Sequence, residues 1–327
     1  MSERLRAVTI ETASRLHFGL LGWGGGAPRR FGGVGLMAAA PGVEVEVEQA
    51  ETWSAEGSLA SRALATARTA AAVLEASGVV VGPLCVRVRR SPREHVGLGV
   101  GTQLCLATAR GVFEVAGLSN PPPERLAEAT GRGRRSGIGL HGFARGGLIV
   151  DGGRATDEGI PPLLSRLEFP ADWSILVVIP GGSRGLSGGA ESSAFATLPP
   201  LPRATTDRLC GLVLLELLPA AAERDLHAFG AALEAMQALV GRGFASAQGG
   251  IYASPRSESI VAAMRDLGLR GVGQSSWGPA LYGFSLGDEA ERQSIRDHVL
   301  AACDLSDEDV LWTSARNSGA GVATRST

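Results

Sequence analysis

The chain has 327 residues, 31 basic against 33 acidic side chains, a formal net charge of −2 and 44% hydrophobic content. Near-neutral charge leaves no global field to recruit nucleic acid, no run of about 18 apolar residues offers a membrane span, and the polar start Ser2-Glu3-Arg4 lacks the core of a secretory leader. These features set the expectation of a cytoplasmic globular protein of ordinary two-domain size.

Every basic residue is arginine; no lysine occurs. A P-loop lysine and a Schiff-base lysine are therefore excluded, and any anion site must use arginine, histidine or backbone amides. Cys85, Cys105, Cys210 and Cys303 lack CxxC spacing and read as buried thiols in a reducing compartment.

Alternation predicts strands over 5–12 and 43–49. Ser14–Leu20 reads as the end of the first strand, and its two-residue spacing puts Arg15 and His17 on one side. That pair suits an anionic substrate, although a lone histidine is more often a satisfied structural residue. Helical spacing covers 58–77, and 84–90 alternates as a strand. The run Gly97-Leu98-Gly99-Val100-Gly101-Thr102-Gln103 then enters an apolar helix over about 102–116. Glycines there can present consecutive amides at a helix N-terminus, which is a phosphate cradle; a plain strand–helix turn uses the same residues.

Asn120-Pro121-Pro122-Pro123 opens a short helix, and 131–153 shows no regular period. Within it Arg132, Arg134 and Arg135, next to Ser136, can fork onto phosphate or carboxylate oxygens, or form a solvated basic loop. Asp151, before two glycines, either binds a metal or caps the turn. A domain boundary is expected near residue 168, dividing the chain into 1–168 and 169–327. Beyond it come a buried strand at 175–179, helices near 203–218, 223–240, 255–267 and 287–302, a glycine-punctuated loop entering a strand over 271–286, and a late strand at 308–314. Gln274, Ser275, Ser276 and Trp277 gather an amide, two hydroxyls and an indole; Trp277 either stacks on a ligand ring or anchors a turn. Strands and helices mix in both halves, an α+β or α/β class.

The glycine loop resembles the phosphate-binding loop of the GHMP kinase superfamily. Four blocks in order, Arg15–Leu21, His95–Leu106, Arg132–Gly153 and Gly273–Gly283, more specifically resemble the β-ribofuranosylaminobenzene 5′-phosphate synthases. The resemblance implies a two-domain α+β GHMP fold with a ferredoxin-like C-terminal half, as a homodimer. It implies transfer of a phosphoribosyl group from phosphoribosyl pyrophosphate to 4-aminobenzoate or 4-hydroxybenzoate, with decarboxylation, towards methanopterin-type cofactors. Mg2+ would accompany the pyrophosphate; ATP, nucleic acid and membrane have no part. Under this reading Gly97, Gly99, Gly101, Thr102, Gln103, Arg132, Arg134, Arg135 and Ser136 hold anionic groups. Arg15, His17 and His141 lie near the reacting carbon, and Gln274, Ser275, Ser276 and Trp277 meet the aromatic ring. Val100 stands where a serine is expected, which bears on substrate affinity, and Gly137 where an alanine is. The alternatives are an ATP-dependent small-molecule kinase, which predicts a carboxylate near His141, and a non-catalytic ligand-binding protein on the same fold.

Overall fold

The computed structural model describes residues 5–25, 28–156, 159–181, 185 and 188–326. Strands β1 (Leu5–Glu11), β2 (Ser14–Leu20), β3 (Gly33–Ala38) and β4 (Glu44–Gln49) open the chain. Valine and glutamate alternate on β4 because one face of its sheet is covered and the other wet. Val45 and Val47 are fully buried. After β5 (Ser54–Gly57) and α1 (Ala60–Glu75), β6 (Leu84–Arg90) lies beside β4. From there Arg87 donates to Glu46 at 2.8 Å and Glu48 at 2.6 Å on the wet face. Helix α2 (Val100–Val115) covers the valine face, and it does so closely: a β-carbon on Gly111 would lie 2.5 Å from a Val47 methyl.

The segment at Ser14–Leu20 is a strand of its own, in a different sheet from β1. Helices α3 (Pro123–Thr130) and α4 (Ile138–Arg145) precede β7 (Leu148–Asp151) and β8 (Leu163–Leu167), giving a second sheet in the order β2-β3-β7-β8. Thus 131–153 holds a helix and a strand despite its lack of period.

The remainder comprises β9 (Ser174–Val178), α5 (Gly188–Thr197), α6 (Arg203–Leu212), a π-helical turn at Val213–Leu217, α7 (Leu218–Glu223), α8 (Leu226–Gln248), α9 (Pro255–Asp266), β10 (Arg270–Gln274), β11 (Leu281–Ser285), α10 (Glu289–Cys303), β12 (Val310–Thr313) and β13 (Gly321–Ser326). An antiparallel sheet runs β10-β11-β9-β12, the ferredoxin-like arrangement. Both faces of β9 are covered: Ile175 and Val177 join Phe284 in one core, while Leu176 and Val178 join Ile260 and Met264 in another. An uninterrupted apolar run is what two-sided burial requires. The expected loop entering a strand over 271–286 holds that strand as β11, but its first residues form a strand as well, β10, which pairs antiparallel with it. The last strand, β13, returns to pair with β1, completing the sheet β13-β1-β4-β6-β5. Among the described residues no helix is long and apolar enough to cross a membrane.

Candidate active site

A cleft of about 720 Å³ opens where β2, the N-terminus of α2 and the turn between β10 and β11 meet. Gly97 and Gly99 adopt φ of +95° and +71°, and Gly99 caps α2. The turn touches this loop backbone to backbone, since a β-carbon on Gly278 would lie 2.2 Å from the Gly97 nitrogen. Ser275 staples the three segments together. Its hydroxyl accepts from the His17 amide at 2.9 Å and donates to the Gly97 carbonyl at 2.8 Å. Ser275 is fully buried and lies outside the cleft lining, so it supports the loop and does not meet a ligand there.

Gly97, Gly99, Gly101 and Thr102 line the cleft. Gln103 does not. It is fully buried, and its Nε2 donates to the Gly139 carbonyl at 3.0 Å, tying α2 to α4. Val100 is 4% exposed and joins the core, so the missing hydroxyl is replaced by apolar contact.

Arg15, Arg132, Arg134 and Arg135 all line the cleft, and Arg62 joins them from α1. Sequence pattern gave no sign of Arg62, which looks like any charged residue on an amphipathic helix. Its ion pair with Glu94 holds it over the first turn of α2, where a β-carbon on Gly101 would come 2.9 Å from the Arg62 guanidinium. Arg132 donates to the Cys105 sulfur at 3.4 Å, and Arg135 stands 5.8 Å over the Phe195 ring. Arg15 and Arg62 thus stand against Gly99 and Gly101 at the N-terminus of α2, where exposed amides and positive side chains favour an anion.

His17 also lines the cleft, two residues beyond Arg15 on β2 as the spacing predicts. Burial, and then the charge of Arg15, hold its pKa well below 6.5, so the ring is neutral at pH 7. Its Nε2 meets the Ser136 hydroxyl at 3.3 Å, and that hydroxyl donates to Asp151 Oδ2 at 3.1 Å.

His141 is placed elsewhere. It lies outside the cleft lining, and its Nε2–H donates to the Pro161 carbonyl at 2.8 Å, so the expected place at the reacting carbon is not where it stands. The same ring explains Gly137, where an alanine β-carbon would come 2.8 Å from His141 Cδ2. Asp151, offered as a metal ligand, is fully buried and accepts the Gly137 and Gly153 amides at 2.8 and 2.9 Å as well as Ser136. It interacts with His141, so a carboxylate does stand near that histidine. It is a turn-holding carboxylate sealed off from the cleft.

Part of the cleft lining is aromatic. Phe31, Phe195, Phe244 and Trp277 form it, from segments far apart in the chain. Trp277 stacks on Phe195 at 4.9 Å and meets Phe244 edge-on at 4.9 Å. Its ring is thus part of a wall, with one face already covered by protein. Ser276 lines the cleft in a left-handed conformation, φ 58°. Gln274 also lines it, with its amide engaged by Ala253 and the Ser276 carbonyl.

The donor set does not fit a resident metal. Among the described residues no group of three His, Cys, Asp or Glu could hold an ion, and no carboxylate lines the cleft. Glu94 is paired with Arg62, and Asp151 is committed to three hydrogen bonds.

A GHMP kinases C-terminal domain matches residues 217–304. The phosphomevalonate kinase of Streptococcus pneumoniae superposes with a TM-score of 0.70 at 13% identity, covering 95% of this chain and 100% of that one. The fold is thus GHMP kinase-like, two-domain and α+β. The β-ribofuranosylphenol 5′-phosphate synthase of Methanothermobacter thermautotrophicus is 34% identical over 291 residues, 84% of this chain and 87% of the relative. The enzyme of that name from Archaeoglobus fulgidus is 34% identical over 307 residues, 88% of this chain and 91% of its own. The chain belongs to the β-ribofuranosylphenol 5′-phosphate synthase family, enzymes of the pentosyltransferase type.

Proposed function

We propose that the chain joins C1 of phosphoribosyl pyrophosphate to the carboxyl-bearing ring carbon of 4-hydroxybenzoate or 4-aminobenzoate, releasing pyrophosphate and carbon dioxide. The observation that carries this reading is the lining of the cleft. Arginines and helix amides line the cleft together with an aromatic wall, Arg135 standing over Phe195 of that wall, and no carboxylate among the described lining residues is placed to deprotonate a hydroxyl for phosphoryl transfer. The product for which the relatives are named, a ribofuranosylphenol, favours the hydroxy acid.

In this reaction the C1–oxygen bond breaks and its electron pair leaves with pyrophosphate. The ring carbon, made electron-rich by its para substituent, bonds to the oxocarbenium-like C1. The carbon–carboxyl bond then breaks, carbon dioxide departs, and its electron pair restores the aromatic ring. No proton is gained or lost overall. Arg62, Arg132, Arg134, Arg135 and the amides of 99–102 would stabilise the departing charge and offset repulsion between two anionic substrates. The wall of Phe31, Phe195, Phe244 and Trp277 would hold the ring. Divalent metal would arrive on the pyrophosphate oxygens, with no step assigned to it and no need for ATP. The product class is the starting unit of methanopterin-type cofactors, and we place the reaction there, in a cytoplasmic homodimer.

The test supplies purified protein with Mg2+, phosphoribosyl pyrophosphate and carboxyl-labelled 4-hydroxybenzoate or 4-aminobenzoate, with and without ATP. Labelled carbon dioxide released without ATP is expected, more from the hydroxy acid. No release, together with ATP-dependent phosphorylation of another small molecule, would overturn the reading in favour of a kinase.

A further inference from the structure

The reaction as drawn leaves one buried carboxylate unused. Asp151 sits on β7 with no exposed surface, yet only Ser136 separates it from the cleft-lining His17. The hydroxyl of Ser136 has a single proton, and Asp151 Oδ2 receives it. What remains on that oxygen is acceptor capacity, filled by the Ile138 amide at 3.3 Å and by His17 Nε2 at 3.3 Å. His17 must therefore carry its proton on Nε2 and its lone pair on Nδ1.

The position of His17 gives that lone pair meaning. Cleft-lining residues of β2 run Arg15, His17, Gly19. Arg15 stands beside Gly99 of the glycine loop, and Gly19 abuts Val240 of α8, the helix that carries Phe244 of the aromatic wall. His17 thus sits between a residue against the glycine loop and one against α8, where ribosyl carbon and ring carbon would meet. A carbon developing positive charge is favoured by a neutral imidazole lone pair and opposed by an N–H or an imidazolium.

We propose that Asp151 is a positioning residue: acting through Ser136, it locks neutral His17 as its Nε2–H tautomer and keeps the Nδ1 lone pair for the ribosyl centre. The use of the lone pair rests on the ribosyl-transfer reading; the tautomer lock does not.

The lock reverses with acid. The charged and titratable groups around it are Arg15 on β2, His141 on α4, and Arg29, which donates to the carbonyls of Gly152 and Gly153. Burial raises the Asp151 carboxyl to about 6, while its hydrogen bonds and His141 pull the other way. A proton arriving at His17 Nδ1 from the cleft moves the Nε2 proton to Ser136 and the Ser136 proton to Asp151. One proton is taken up, it resides on Asp151, and His17 is left as the Nδ1–H tautomer.

The experiment is 15N NMR of the full chain, labelled in histidine, free of ligands, across pH 5 to 8. Expected at pH 7.5 is a protonated Nε2 and an unprotonated Nδ1, switching with a midpoint near 6. Ser136→Ala keeps both backbone bonds to Asp151, so the fold survives, but the two tautomers should mix and the switch should vanish; Ser136→Thr should restore both. An Nδ1–H ring in the wild type at pH 7.5, or an unchanged tautomer in Ser136→Ala, overturns the proposal. Carbon dioxide release measured alongside should lose its acid limb in Ser136→Ala. A correct tautomer pattern with no release in any protein would defeat the ribosyl-transfer reading and leave the lock standing.

Discussion

Replacing Ser275 by alanine isolates the staple beneath the glycine loop. The hydroxyl is fully buried and serves two backbone groups, the amide of His17 and the carbonyl of Gly97. Alanine fits the same space, so packing changes little, but both groups are left without a partner in a place water does not reach. A buried unsatisfied group costs about 1–3 kcal/mol, so the pair should cost about 2–5 kcal/mol of stability. Urea unfolding should show a lower midpoint at constant slope. The control is Ser276→Ala next door, where the side chain is part-exposed at the cleft; there the change should stay within about 0.5 kcal/mol. Equal midpoints for wild type and Ser275→Ala would refute the claim that this hydroxyl holds β2 and the loop together.

Arg62→Ala removes a guanidinium over the first turn of α2, and a hydrogen bond to a charged group is worth about 1.5–3 kcal/mol, so kcat/KM for phosphoribosyl pyrophosphate should fall about 10- to 100-fold. An unchanged kcat/KM would show that Arg62 serves only Glu94. Asp151→Asn probes the buried carboxyl by its pH dependence. The folded value, about 6, lies above the ordinary 3.8, so protonation stabilises the fold; that contribution is complete below 3.8 and is lost as pH rises through 6. Between pH 4 and 7.5 the wild type should lose about 2.5 kcal/mol relative to Asp151→Asn, whatever constant offset the amide introduces. A stability difference that stays flat with pH would sink this account.

Where a residue type repeats with a period, the fold could be read directly. The valines of β4 and the alanines of α1 declared their buried faces, and the glycines before α2 marked the loop that does line the cleft. Pattern failed where backbone packs instead of side chains. In α4, Gly142 allows Met37 so close that a β-carbon would lie 2.3 Å from its sulfur, and such contacts leave no apolar period behind. Polar residues within the motifs proved harder still. Gln103, Ser275, His141 and Asp151 have the same letters as ligand-binding groups, but only the tertiary structure shows that each satisfies a buried backbone partner. The aromatic wall was invisible for another reason: Phe31, Phe195 and Phe244 have no local relationship, and only the folding of α5 and α8 over β2 brings them together.

The pairing of β13 with β1 bears on how such a chain can be made. Until residues 321–326 have been synthesised, β1 has β4 on one side and an open edge on the other, with its amides available to any passing strand. Closing that edge joins segments more than 300 residues apart in sequence, among the slowest kinds of contact to form. A vectorial order, first half finished before the second emerges, is therefore denied to this protein. Severing the chain near residue 168 to obtain the part with the glycine loop alone would yield a sheet that lacks its last strand.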